Sequence, residues 1–186
     1  MTQTVYYLPG FGGQLGSGLG QGLLSRGCEV TGRETRGAFK ELTFKKQVET
    51  VSEDLAQHFW HDESYVIANS FGAYLFLHAQ AQLPPYVGNL LLLSPIVGDF
   101  RNEQVNMGFV PPFPERLLQL AEAGEFPKPL KCQIYVGTED WQSVPANVER
   151  FAELVSIEVK LVQGAGHMLG KDYVGGLLDE WLKNSN

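Results

Sequence analysis

The chain has 186 residues, 44% of them hydrophobic, which is enough for one packed core and short for several domains. A formal net charge of −7, with Lys45-Lys46 as the densest basic pair, argues against a nucleic-acid partner. The longest strongly apolar run, Leu90 to Leu93, is far too short to span a bilayer, so no membrane partner is expected. The opening residues lack a basic, then apolar, then small-residue leader, and Cys28 and Cys132 are distant and lack metal-type spacing. Free thiols in a reducing cytoplasm are the expectation.

Thr4 to Leu8 is compact and rich in β-forming residues, and reads as the first strand. It runs into Pro9-Gly10-Phe11-Gly12-Gly13 and a glycine-rich stretch that reaches Gly22. Gly10, Gly12 and Gly16 would cradle a dinucleotide pyrophosphate only if a helix began inside the motif, and the further glycines weaken such a helix. The alternative is a loop whose backbone N–H groups face a reacting carbonyl, with the N–H of Phe11 as a natural donor and Gly10 allowing close approach. A turn without chemistry is the plainest reading.

Leu23 to Gly27 ends a short helix, and Cys28 to Thr31 is a second strand. Phe44 to Phe59 places Phe44, Val48, Val51, Leu55 and Phe59 at helical spacing, so they form a core-facing stripe. Next comes a short strand, Tyr65 to Ile67, that stops at small residues around Asn69-Ser70 before a helix from Gly72 to Gln80. A strand turns sharply into a helix around a serine only if its neighbours are small. Ala68 and Gly72 meet that condition at minus two and plus two, which is the pattern of a nucleophile elbow at Ser70. Taken alone, a serine before a helix is more often an N-cap.

Asn89 to Val97 is leucine-rich, as suits a strand buried on both faces. The alternation of strands and helices to this point predicts an α/β fold: a mostly parallel, doubly wound sheet flanked by helices. Residues 98–131 break the pattern with Asp99, a run of prolines from Pro111 and a helix over Glu115 to Ala123. That segment reads as a short lid or cap within one domain of 1–186, or as a surface insertion. Its Met107, Phe109 and Phe113, together with Trp141, are candidates for an apolar wall against substrate. Cys132 to Val136 is another strand, Ala146 to Leu154 a helix, Ser156 to Val162 the last strand, and Tyr173 to Lys183 the last helix.

Ser70, Asp140 and His167 each fall just past the C-terminal end of a separate expected strand, where loops converge in parallel α/β folds. An acyl-transferring serine needs a base to take its proton and an acid to orient that base. Asp99 also follows a strand and competes with Asp140 for the acid; Glu139 adjoins it. Asn69, beside Ser70, reads either as a substrate contact or as a structural hydrogen-bonding residue. His58 and His61 read as surface residues, and His78 as a packing or solvent-contacting one.

The order Ser, Asp, His resembles that of the α/β hydrolases. Tyr7-Leu8-Pro9-Gly10-Phe11-Gly12-Gly13 looks like that family's oxyanion loop, with Pro9 where a histidine is usual. Gly137-x-x-Asp140 followed by Val144-Pro145 is similar to its acid loop, with one extra residue. Gly164-Ala165-Gly166-His167 resembles its histidine loop. The resemblance covers almost the whole chain from the family's third strand onward and implies a small serine hydrolase lacking the first two strands. It implies Ser70 as nucleophile, His167 as base, Asp140 as acid, and the N–H groups of Phe11 and Phe71 as the oxyanion hole. Hydrolysis of a carboxylic ester or thioester without metal or organic cofactor is the expected reaction. Amidase or peptidase chemistry on the same machinery, and a non-catalytic binding role, are the alternatives.

Overall fold

The computed structural model describes residues 2–183. Its elements in chain order are β1 (Thr4–Leu8), α1 (Leu19–Leu24), β2 (Glu29–Gly32), α2 (Gly37–Lys40), α3 (Phe44–His58), β3 (Tyr65–Asn69), α4 (Phe71–Gln80) and β4 (Asn89–Leu93). There follow β5 (Phe100–Asn102), β6 (Met107–Phe109), α5 (Arg116–Glu122), β7 (Lys131–Gly137), α6 (Pro145–Leu154), β8 (Val159–Val162) and α7 (Lys171–Lys183). The expectation of one domain over 1–186 extends onto residue 1 and residues 184–186, which lie outside the described residues.

Six strands form one sheet in the order β2-β1-β3-β4-β7-β8, and every neighbouring pair is parallel. Parallel strands need covered crossovers, so both faces of the sheet are packed with helices. Alternation along each strand divides the core in two. Tyr6, Leu8, Val66, Ala68, Leu90 and Leu92 join one cluster with residues of α3, α4, α5 and α6. Val5, Tyr7, Tyr65, Ile67, Leu91 and Leu93 join the other with α1 and α7. The α3 stripe behaves as its spacing predicts, with Val48, Val51 and Leu55 buried. At its N-terminus the Thr43 side chain accepts a hydrogen bond from the Lys46 N–H, a side-chain cap.

From β1, next to the sheet edge, the chain adds β2 on the outer side, then returns to place β3 on the inner one. The loops leaving β1 and β3 therefore diverge, and a crevice opens at their C-terminal ends. Pro9 to Gly13 and Ser70 both sit at that point.

Several boundaries differ from expectation for local reasons. The strand expected over Asn89 to Val97 ends at Leu93: the Ser94 N–H still donates to the Tyr135 carbonyl of β7 at 2.7 Å, but Ser94 takes φ 44° and turns the chain out of the sheet. The last strand begins at Val159 instead of Ser156: Ser156 has φ 57°, and the Ile157 N–H caps the end of α6 on the Ala152 carbonyl. Between residues 98 and 131 the proline-rich segment holds an antiparallel β5–β6 ribbon besides its helix. Tyr74 of α4 anchors it, its hydroxyl donating to the carbonyls of Pro112 (2.7 Å) and Phe113 (3.0 Å). The glycine-rich stretch does not open a helix at Gly10; α1 starts only at Leu19. Among the described residues no helix is long and apolar enough to cross a membrane.

Candidate active site

Ser70 caps α4 with φ 53° and ψ −122°, a strained conformation for a residue with a Cβ. Its backbone is held at both ends. The Ser70 N–H donates to the Leu93 carbonyl, while the Ser70 carbonyl accepts from the N–H groups of Tyr74 and Ile96. A Cβ on Gly72 would lie 2.1 Å from the Leu8 carbonyl oxygen, so only glycine lets α4 leave this close to β1. The Ser70 side chain makes no helix-capping bond. Instead its Oγ lies 2.8 Å from Nε2 of His167, 97 residues away.

Nδ1 of His167 lies 3.0 and 2.9 Å from the two carboxylate oxygens of Asp140. The Asp140 side chain is fully buried, and its Oδ1 also accepts from the N–H groups of Gln142 (2.9 Å) and Ser143 (2.8 Å). Burial pushes this carboxyl up, but the hydrogen bonds from His167, Ser143 and Gln142 outweigh it and hold its pKa below the ordinary value. An ionised Asp140 fixes the imidazole with Nδ1–H toward the carboxylate and Nε2 free to accept from Ser70. Asp99 is exposed at the start of the insertion, and Glu139 is exposed with its N–H on the Ala165 carbonyl. Of the three acidic candidates, only Asp140 is brought to His167.

The acid and histidine loops are stapled together. The Gly164 N–H donates to Oγ1 of Thr138 at 2.9 Å, and a Cβ on Gly137 would lie 2.1 Å from the Ala165 carbonyl oxygen. The two loops therefore pack backbone to backbone beyond the C-terminal ends of β7 and β8.

The Pro9–Gly13 loop faces the elbow from the other side. A Cβ on Gly10 would lie 3.2 Å from that of Ser70 and 3.6 Å from its Oγ, so the loop passes within contact of the serine. The N–H of Phe71, first in α4, has no helical acceptor. Neither it nor the N–H of Phe11 has an acceptor among the described residues. Thr35 holds this loop. Its side-chain hydroxyl donates to the Gly10 carbonyl and accepts from the Gly13 N–H at 3.0 Å, and its carbonyl accepts from the Gly12 N–H at 3.0 Å. Sequence reasoning missed Thr35, which follows the edge strand β2 and carries no motif. It also missed Ser143, whose Oγ donates to the Pro95 carbonyl at 2.5 Å while its N–H supports Asp140.

The aromatic candidates form an arc beside the elbow. Phe71 touches Phe11 (5.7 Å between ring centroids), Phe109 (6.2 Å) and Phe44 (6.4 Å). Phe44 in turn contacts Phe113 at 6.2 Å, and Phe100 links Phe109 to Trp141 at 5.7 Å each. Met107 stands 57% exposed on β6 and joins no ring of this arc. Asn69 faces the other side of the sheet: its Oδ1 accepts from the Tyr7 hydroxyl at 2.9 Å. His58 and His61 are exposed. His78 is buried, its ring edge-on to Phe44 and Tyr74, and its Nε2 has no hydrogen-bond partner among the described residues.

No protein-family model and no curated protein matches the sequence. Solved structures do. The ydeN gene product of B. subtilis is similar at 15% identity with a TM-score of 0.66, covering 98% of this chain and 100% of that one. An α/β serine hydrolase homologue from Coxiella burnetii aligns at 19% identity and TM-score 0.65, over 98% and 84%. A monoacylglycerol lipase from Paleococcus ferrophilus aligns at 14% and 0.64, over 100% and 96%. At these identities the likeness establishes architecture. The chain has the α/β-hydrolase fold.

Proposed function

We propose that the protein is a serine hydrolase that cleaves a carboxylic ester or thioester through an acyl-serine intermediate. The observation that carries this reading is the unbroken chain from Ser70 Oγ through His167 to the buried Asp140 carboxylate, next to a loop and a helix start whose Phe11 and Phe71 N–H groups have no acceptor among the described residues. Ser70 Oγ attacks the carbonyl carbon as its proton passes to Nε2 of His167. The carbonyl oxygen becomes an oxyanion, stabilised by the N–H groups of Phe11 and Phe71. Collapse breaks the bond to the leaving group, which departs with the proton from His167. Water then attacks the acyl-serine, giving a proton to His167, and Ser70 regains it when the carboxylic acid leaves. Asp140 keeps the imidazole in the tautomer that both steps need. The acyl group lies along Phe71, Phe109 and Phe113, with residues 98–131 serving as its cap. Two free cysteines fit a cytoplasmic setting.

The test is fluorophosphonate labelling followed by a screen of esters and thioesters, with Ser70→Ala as blank. Labelling that disappears in Ser70→Ala, and turnover lost by about 10⁶ there and in His167→Ala, is the expected result. Retained turnover in pure Ser70→Ala ends the reading.

A further inference from the structure

Across the sheet from the aromatic arc, a cleft of about 900 Å³ runs between α1 and α7. His167 and Met168 line it at the catalytic end, and Asn69 and Leu93 line it where it meets the sheet. This volume lies in the range of small-molecule sites. Glycines line the cleft on both sides, Gly18 and Gly22 on the α1 side and Gly175 and Gly176 on α7. A Cβ on Gly22 of α1 would point across at Leu178 of α7, 3.6 Å from its Cδ1, and α7 carries the consecutive Gly175 and Gly176. Glycine is a poorer helix former than alanine, so these positions hold the space open at the expense of helix stability. The two helices are instead bridged by Arg26, which donates to the Gly175 carbonyl (2.8 Å) and pairs with Asp179 (2.8 Å).

Asn69 supplies a polar group at the inner end. Burial pushes the Tyr7 hydroxyl pKa well up, so it stays protonated and donates to Asn69 Oδ1. That leaves Nδ2 with no acceptor among the described residues, on the cleft lining, and 3.2 Å from where a Gly10 Cβ would sit beside Ser70. In the mechanism above, His167 delivers its proton to the departing oxygen or sulfur, so the leaving group must lie on the His167 side. The cleft begins there, and the aromatic arc does not line it.

We infer that the α1–α7 cleft is the leaving-group subsite and takes a slender, extended, largely apolar alcohol or thiol, with Asn69 Nδ2 as donor near the scissile bond. This rests on the acyl-serine reading. It assigns the two halves of the substrate to opposite faces of the sheet, acyl group on the aromatic side and leaving group on the glycine side.

The experiment compares two ester series: acetates of linear alcohols from ethanol to octanol, and ethyl esters of linear acids of the same lengths. All acetates form the same acetyl-serine, so differences in kcat/KM among them report on the leaving group alone. The expected gain is about three- to fourfold per alcohol methylene until the cleft fills. Gly22→Ala should shorten the series and Gly22→Leu should cut the octyl-to-ethyl acetate ratio at least tenfold, with the acid-series ratio preserved. Val174→Phe, which fills from the α7 wall, should act the same way, and thermal unfolding of each variant checks the fold. A flat acetate series, or one that keeps its slope in the filled variants, overturns the inference while serine labelling stands. If Gly22→Leu removes the gain in the acid series instead, the cleft holds the acyl group and the assignment is wrong. Absence of Ser70 labelling and of all ester turnover takes down the serine-hydrolase reading and this subsite together.

Discussion

The side chain of Thr35 hydrogen-bonds to the carbonyl of Gly10, joining the loop after the edge strand β2 to the loop that carries Phe11. With the Gly12 and Gly13 N–H groups also bound to Thr35, the backbone on both sides of Phe11 is fixed. An oxyanion donor must be in place before the charge forms, and losing one typically costs 10²–10³ in kcat. Thr35→Val should therefore lower kcat by roughly tenfold to a hundredfold, since the donor is loosened but not removed. Thr35→Ser, which keeps the hydroxyl, should recover most of it. An effect on KM alone, or no rescue by serine, would mean that Thr35 only packs.

The acid assignment predicts a ranking. Asp140→Asn disturbs the tautomer of His167 and should reduce kcat by about 10⁴, the loss seen when a triad aspartate becomes asparagine. Asp99→Asn, on an exposed residue at the start of the insertion, should stay within a few-fold of the parent. Steady-state kinetics on one short ester decides it, and the reverse ranking would move the acid to the loop after β4.

Phe109 and Phe113 contact Phe71 and Phe44 beside the elbow. If the acyl chain lies along them, Phe109→Ala or Phe113→Ala should move the preferred acid length in the ethyl-ester series and spare acetate turnover. Equal loss at every length, with a lower melting temperature, would reduce the segment to a structural role.

His78 makes stability depend on pH. Burial, with Arg116 adding a smaller push, lowers its pKa from 6.5 to about 4. Between those values the unfolded chain binds the proton and the folded chain does not, so stability falls as pH drops from 6.5 toward 4. The full effect is about 3 kcal/mol. Urea unfolding at pH 7 and pH 4.5 should show a smaller difference in His78→Gln than in the parent. An unchanged difference would place the acid sensitivity elsewhere.

Local chemistry made much of this molecule readable from sequence. Strand and helix alternation, the spacing of the α3 stripe, and the small residues around Ser70 each depend on neighbours within a few positions. The three loops after strands were visible for the same reason, because parallel sheets put strand ends on one side whatever their order.

What the sequence alone left open was decided by which strands lie adjacent and which face each side chain takes. Asp140 and Asp99 both follow strands, and only the packed loops after β7 and β8 bring one carboxylate to His167. Thr35 carries no motif, since its role comes from β2 pairing beside β1. Leu93 ends β4 where Ser94 takes a positive φ, a bend that strand propensity does not encode. The glycines of the first loop, up to Gly22, were legible one by one as helix-weakening residues. The cleft reaching His167 exists only because α1 and α7 pack on the same face of the sheet.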